Sequence, residues 1–217
     1  VEYIFGIPGE ENLDVMDALL DSPIKFITVR HEQGAAFMAD VYGRLTGRPG
    51  VCLATLGPGA TNLITGVADA NMDRAPVVAI AGQGSTHRLH KESHQAYDLV
   101  ELFTPITKCA TQVIRSQTIP EVVRKAFKLA QTEKTGATFI EFPENIAAME
   151  VEQELLPVAQ PPDPEPPAET AKHVDGQREE DRRVALGGDV GQGLEVAQLN
   201  RHRVLADLLR RPRQLAR

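Results

Sequence analysis

Four short stretches of this sequence carry residues able to do chemistry. The first is RHEQ, with His31 and Glu32 at a strand-to-helix turn. Exposed main-chain donors at such a turn favour anions. Two readings stay open from the residues alone: a carboxylate that serves the helix start, or a carboxylate at a strand's carboxyl end, partly buried by a neighbouring subunit. The second is GPGATN, where Gly57 and Gly59 permit positive φ or close backbone approach, and Thr61 and Asn62 can cap the helix they introduce. It is not a phosphate loop of the GxxxxGKS type, and GxGxxG is absent. The third is Gly6-Ile7-Pro8-Gly9, a turn closing a short apolar run. The fourth is the polar stretch GQGSTHRLHKESHQAYD, which holds Gln83, Gln95, His87, His90 and His94. With no cysteine nearby and few carboxylates at ligand spacing, the histidines make a poor metal site, and a long functional loop is the better reading.

The elements that must position these turns follow from the hydrophobic pattern. Strand-like runs fall at Tyr3–Gly6, Lys25–Val29, Val51–Thr55, Pro76–Ala81 (closed by Gly82), Cys109–Ile114 and Ala137–Phe142. Helical spacing falls at Asn12–Leu20, Glu32–Leu45, Ala60–Met72 and Pro120–Gln131. This alternation predicts an α/β fold, a parallel sheet flanked by helices on both faces. Ligands of such sheets bind beyond the carboxyl ends of the strands. GIPGE, RHEQ and GPGATN each follow a strand directly, so all three are candidates for one shared site.

Composition narrows the function classes. A net charge of −7 argues against nucleic-acid binding. No apolar run approaches a membrane span, and no basic and apolar leader opens the chain, which points to a cytoplasmic protein. Cys52 and Cys109 lie in apolar runs and read as buried strand thiols, with neither disulfide nor metal spacing. The charge is unevenly spread: residues 1–170 carry a net −10 and residues 171–217 a net +3. Residues 1–158 read as the folded domain, and 159–170 as a proline-rich linker (AQPPDPEPPA at its heart). Residues 171–217 hold nine arginines, one lysine and no aromatic residue, and are expected to be a disordered or frame-shifted tail.

The segments FGIPGEENLDVMDAL, RHEQGAAFMADVYGRLTGRPGV, LGPGATNLITGVADANMDRAPVVAIAGQ and RLHKESHQAYDLVELFTPITK occur in the order found in one family. In combination they resemble the amino-terminal, pyrimidine-binding domain of the acetolactate synthase large (catalytic) subunits, from Val1 to about Glu150. Pyruvate oxidases, benzoylformate decarboxylases and other carboligases share the general plan.

The resemblance implies thiamine diphosphate as cofactor, with Glu32 hydrogen-bonded to its pyrimidine N1′ and sharing a proton there. It implies that Pro8, Gly9, Pro58 and Asn62 line the pyrimidine pocket, and that Gln95 faces the reacting carbons. It further implies pyruvate or another 2-oxo acid as substrate, decarboxylative condensation of two pyruvates to 2-acetolactate, and a homo-oligomer. That reaction would serve branched-chain amino acid or acetoin formation.

The resemblance also has edges. Family members run well over twice this length, begin about a helix earlier, and bind Mg2+ and the diphosphate in a separate carboxyl-terminal domain through a GDG…N motif. GGDVGQG at Gly187–Gly193 does not supply it, because Val190 stands where glycine is needed. No metal-ligating residue is therefore expected here, and a fragment inactive by itself is the expectation. Lys134 occupies the position where flavin-bearing members have arginine, which argues against FAD. Two alternatives remain: another carboligase, decarboxylase or pyruvate oxidase, and a non-catalytic module pairing with a full-length relative.

Overall fold

The computed structural model describes residues 1–89 and 91–150. The expected linker and tail, 159–170 and 171–217, lie outside the described residues, as does His90. Six strands form one sheet: β1 (Tyr3–Gly6), β2 (Lys25–Thr28), β3 (Gly50–Ala54), β4 (Val77–Gln83), β5 (Cys109–Gln112) and β6 (Ala137–Pro143). Among the described residues five α-helices connect them, α1 (Leu13–Leu20), α2 (Glu32–Thr46), α3 (Pro58–Met72), α4 (Leu99–Phe103) and α5 (Ile119–Gln131), and α6 (Glu144–Ala147) follows β6. Every pairing is parallel, in the order β2-β1-β3-β4-β6-β5. This is the α/β architecture that the alternating pattern predicts.

Right-handed crossovers decide which face each helix covers. Connections stepping one way along the sheet place α2, α3 and α4 on one face, and those stepping back place α1 and α5 on the other. The core divides accordingly. Ala35, Ala36 and Ala39 of α2, Leu63 and Val67 of α3 and Phe103 of α4 pack on Cys52, Ala54, Val77, Ala79 and Phe139. Met16 and Leu19 of α1, Ala126 and Ala130 of α5 and Ile146 of α6 pack on Val51, Leu53, Val78 and Ile140. Along β3 and β4 alternate residues join alternate clusters, which explains why these strands read as continuous apolar runs.

The direction of travel reverses twice, leaving crevices between β1 and β3 and between β4 and β6. Ligands of open parallel sheets settle at such reversals.

Several boundaries differ from expectation. β4 does not stop at Gly82 but continues through Gln83, because both residues pair with Phe142 and Pro143 of β6. Gly82 instead serves a close approach: a Cβ there would fall 2.7 Å from the Glu11 carbonyl oxygen. α3 begins at Pro58 rather than Ala60, since proline at the first helical position has no N–H to leave unpaired. Thr61 and Asn62 therefore do not cap it; Gly57 is the N-cap residue. β5 ends at Gln112, short of Ile114, as an edge strand paired only with β6. Cys52 is fully buried as expected, whereas Cys109 on that edge is only half-buried. The short helices α4 and α6 were not anticipated.

Candidate active site at the carboxyl edge of the sheet

Glu32 is the first residue of α2, placed there by the cap that precedes it. His31 adopts extended backbone and its Nδ1 accepts from the Gln33 N–H at 3.2 Å. That cap uses His31 locally and leaves the Glu32 side chain free to turn inward, where it is only 9% exposed. Across the crevice, Asn62 projects from the second turn of α3 and donates its Nδ2 to Glu32 Oε2 at 2.9 Å. Among the described residues Oε1 accepts no hydrogen bond, and it borders Gly59: a Cβ at Gly59 would sit 3.4 Å from it. The carboxyl group is thus fixed through one oxygen while the other faces glycine backbone.

The GIPGEEN turn after β1 closes through Asn12, which sequence reasoning missed. Asn12 is 1% exposed; its Oδ1 accepts from the Gly9 N–H at 2.9 Å and its Nδ2 donates to the Ile7 carbonyl at 3.3 Å. Thr55, at the end of β3, donates its hydroxyl to Glu11 Oε2 at 2.7 Å. A Cβ on Gly9 would collide with the Thr55 side chain at 2.5 Å. The turns bearing Gly9 and Gly59 therefore meet over Thr55, with Glu32 against Gly59. The polar residues Asn12 and Thr55 beside two glycine turns were the available signal.

α2 and α3 are tied together at their far ends. Arg44 forks to Asp40, Asp69 and Asp73 at 2.8, 3.0 and 2.5 Å, and its hydrogen bonds to Asp40 and Asp73 hold its guanidinium above its ordinary pKa. The helices that carry Glu32 and Asn62 are thereby set in register.

Among the described residues no hydrogen bond joins Gln95 to Glu32. It lies on the exposed loop between β4 and α4, in left-handed backbone at φ 54°, against the Gly57 turn. Gly57 is itself at φ 54°, and a Cβ there would fall 2.7 Å from both Cβ and carbonyl oxygen of Gln95. Pro8 and Pro58 sit exposed on the rims of their turns. The expected positions thus form a set: Gly9, Glu32, Gly59 and Asn62 inside, with Pro8, Pro58 and Gln95 at the border.

At the second crevice a cavity of about 240 Å3 opens among Gln83, Tyr97, Gln112, Glu141 and neighbouring loop residues. Glu141 is 2% exposed and accepts from Gln83 Nε2 and Gln112 Nε2, both at 2.6 Å. Burial pushes its carboxyl group up from the ordinary range, and the two amide donors oppose that rise.

Among the described residues no three His, Cys, Asp or Glu side chains cluster to hold a metal ion. The donor set around Glu32 suits the aminopyrimidine end of thiamine diphosphate: one free carboxylate oxygen beside a glycine surface that admits a flat ring. Among the described residues, no helix is long and apolar enough to cross a membrane.

Comparison with known proteins points to the same cofactor. Residues 1–102 match the sequence family described as thiamine pyrophosphate enzyme, N-terminal TPP binding domain. The catabolic acetolactate synthase of Raoultella terrigena is 44% identical over 162 residues, covering 75% of this chain and 29% of that protein. The acetolactate synthase of Bacillus subtilis (strain 168) is 48% identical over 146 residues, covering 67% and 26%. A probable acetolactate synthase large subunit of Methanocaldococcus jannaschii is 43% identical over 158 residues, covering 73% and 27%. The chain thus spans between a quarter and a third of the length of these relatives. In its amino-terminal part the chain is thus similar to acetolactate synthase large subunits, and residues 1–102 match the thiamine pyrophosphate enzyme N-terminal TPP binding domain.

Proposed function

We propose that residues 1–150 form the pyrimidine-binding part of a thiamine-diphosphate-dependent acetolactate synthase. The activity is decarboxylative condensation of two pyruvates to 2-acetolactate, in branched-chain amino acid or acetoin formation. The observation that carries this reading is the buried Glu32 carboxyl group, held through Oε2 by Asn62 and open through Oε1 beside Gly59.

When bound, thiamine diphosphate would supply an acidic C2–H and an electron sink for decarboxylation of the 2-oxo acid, and Glu32, Asn62 and the Gly9 and Gly59 turns would hold its pyrimidine end. Glu32 Oε1 would share a proton with the pyrimidine N1′. Asn62 fixes the rotation of that carboxyl group, and Pro8, Gly9 and Pro58 line the pyrimidine's surroundings. Gln95 presents its amide to the 2-oxo acid from the loop over the Gly57 turn. Magnesium and the diphosphate are held by residues of another domain, and a second copy of the chain completes the site in a homo-oligomer. Lys134 in place of arginine favours a flavin-free enzyme. The two free thiols suit the reducing cytoplasm.

Two measurements test this reading. A polypeptide of these 217 residues, given magnesium, thiamine diphosphate and pyruvate, should form no acetolactate; turnover in preparations free of host synthase would contradict it. In a protein joining these residues to a magnesium–diphosphate domain, Glu32→Gln should slow hydrogen–deuterium exchange at C2 of the bound cofactor by about 100-fold or more, with the fold intact. A helix-start role alone predicts only about 0.3–1 kcal/mol of lost stability and unchanged C2 exchange.

A further inference from the structure

We propose that Glu141 is a positioning residue for the loop that bears Gln95, acting through Gln83. The proposal rests on the reading of Gln95 as facing the reacting carbons.

Glu141 lies near the carboxyl end of β6, in the crevice beside β4, where its hydrogen bonds go to Gln83 and Gln112. A carboxylate can only accept hydrogen bonds, so it dictates which end of a neighbouring amide faces it. Gln83 accordingly turns its Nε2 to Glu141 Oε1 at 2.6 Å. The second hydrogen of that same nitrogen reaches the Tyr97 carbonyl at 3.0 Å, two residues beyond Gln95. Gln83 Oε1 meanwhile accepts from the N–H of its own neighbour Gly84 at 2.9 Å, which holds the amide in that orientation. Gln112 holds the other Glu141 oxygen, so the carboxyl group cannot rotate away from Gln83.

Gln83 and Glu141 are both withdrawn from water, where a misdirected donor costs more than an exposed one. The clamp therefore fixes the Tyr97 end of the loop, and with it the backbone that seats Gln95 on Gly57.

The other end of the loop has separate anchors. Ser85 N–H donates to Glu144 Oε1 at 3.0 Å and Thr86 N–H to Asn145 Oδ1 at 2.9 Å, both from α6. A loosened clamp should free one end of the loop and spare the other. General destabilisation would free both.

Amide hydrogen exchange on the full 217-residue chain reads the difference, taking the Ala96 amide, bonded to the Ser93 carbonyl, as reporter. Glu141→Leu should speed exchange at Ala96 by about tenfold while Ser85 and Thr86 keep their rates. Glu141→Gln should restore the parent rate, because its Oε1 still accepts from Gln83 and its amide donates to a flipped Gln112. Should Glu141→Leu not fold, Gln83→Met removes the same contact from its other side, with the same expected pattern. Unchanged Ala96 exchange in a folded variant, or equal acceleration at all three amides, overturns the proposal, as does failure of Glu141→Gln to rescue. None of these rates depends on what Gln95 does. A passive Gln95 would overturn the site reading and leave the positioning intact.

Discussion

Asn62 Nδ2 lies 2.9 Å from Glu32 Oε2, joining the second turn of one helix to the first residue of another across 30 positions of sequence. It is the one hydrogen bond described here that holds the Glu32 carboxyl group. Asn62→Ala should lower unfolding stability by about 1.5 kcal/mol, the lower end for a bond to a charged group. Urea unfolding with an unchanged denaturant slope checks this. A variant as stable as the parent would mean that the contact orients Glu32 without stabilising the fold.

Gly57 resists substitution for two reasons at once. At φ 54° and ψ −124° its backbone suits glycine alone, and the Gln95 backbone already occupies the space a Cβ needs. Gly57→Ala should cost about 1–3 kcal/mol from backbone strain and also drive the Gln95 loop off its seat. Thermal unfolding reports the first effect and protease sensitivity between residues 84 and 98 the second. A variant with parent stability and parent cleavage would refute both.

The buried Glu141 gives a signed pH dependence. Above pH ~4.3 the unfolded chain releases this proton while the folded chain, with its raised pKa, still holds it. The parent therefore loses Glu141-linked stability as pH rises from that value through the folded pKa. Glu141→Gln has no such loss. The stability of the variant relative to the parent should rise with pH across that window, measured by urea unfolding in steps of pH. A difference that stays flat or falls means that the folded carboxyl group is not raised.

Cys52 and Cys109 should differ sharply in reactivity. Burial pushes the Cys52 thiol up to about 12, and its side chain has no exposed surface. Iodoacetamide at pH 8 should modify Cys109 first and Cys52 only at the rate of unfolding. Above pH ~9 the unfolded chain loses the Cys52 proton that the folded chain keeps, so this thiol's contribution to stability falls by about 1.4 kcal/mol per pH unit. Simultaneous labelling of both thiols in the native chain would contradict this.

The sheet was legible because its strands are apolar runs separated by glycine and proline turns, and because alternation with helices leaves parallel pairing as the natural outcome. The cluster of Gly9, Glu32, Gly59 and Asn62 was legible for a narrower reason: each follows a strand, and parallel strands share one carboxyl edge. Gln83, Glu141 and Gln112 were less so. Glu141 stands out as the one charge in ATFIEF, but its partners lie 58 and 29 positions away, and no periodicity reveals a contact that only sheet order creates. Gln95 was visible in sequence as a polar loop residue. Its seat on Gly57 was not, since it depends on two left-handed residues meeting from different loops.

The strand order carries a consequence for how the chain assembles. Of the described strands β6 is the last to be synthesised, yet it lies between β4 and β5. The segment Cys109–Gln112 therefore has no partner until the chain has been extended to Ala137–Pro143 and that stretch has inserted beside β4. A nascent chain can pair its first four strands in turn, but its fifth must wait with open edges while some thirty more residues emerge. Because every pairing joins distant segments, this closing step is slow by nature. Interrupted synthesis before residue 137 should leave an intermediate whose exposed β4 edge recruits other chains, so truncation within α5 is the change most apt to turn this domain into aggregate.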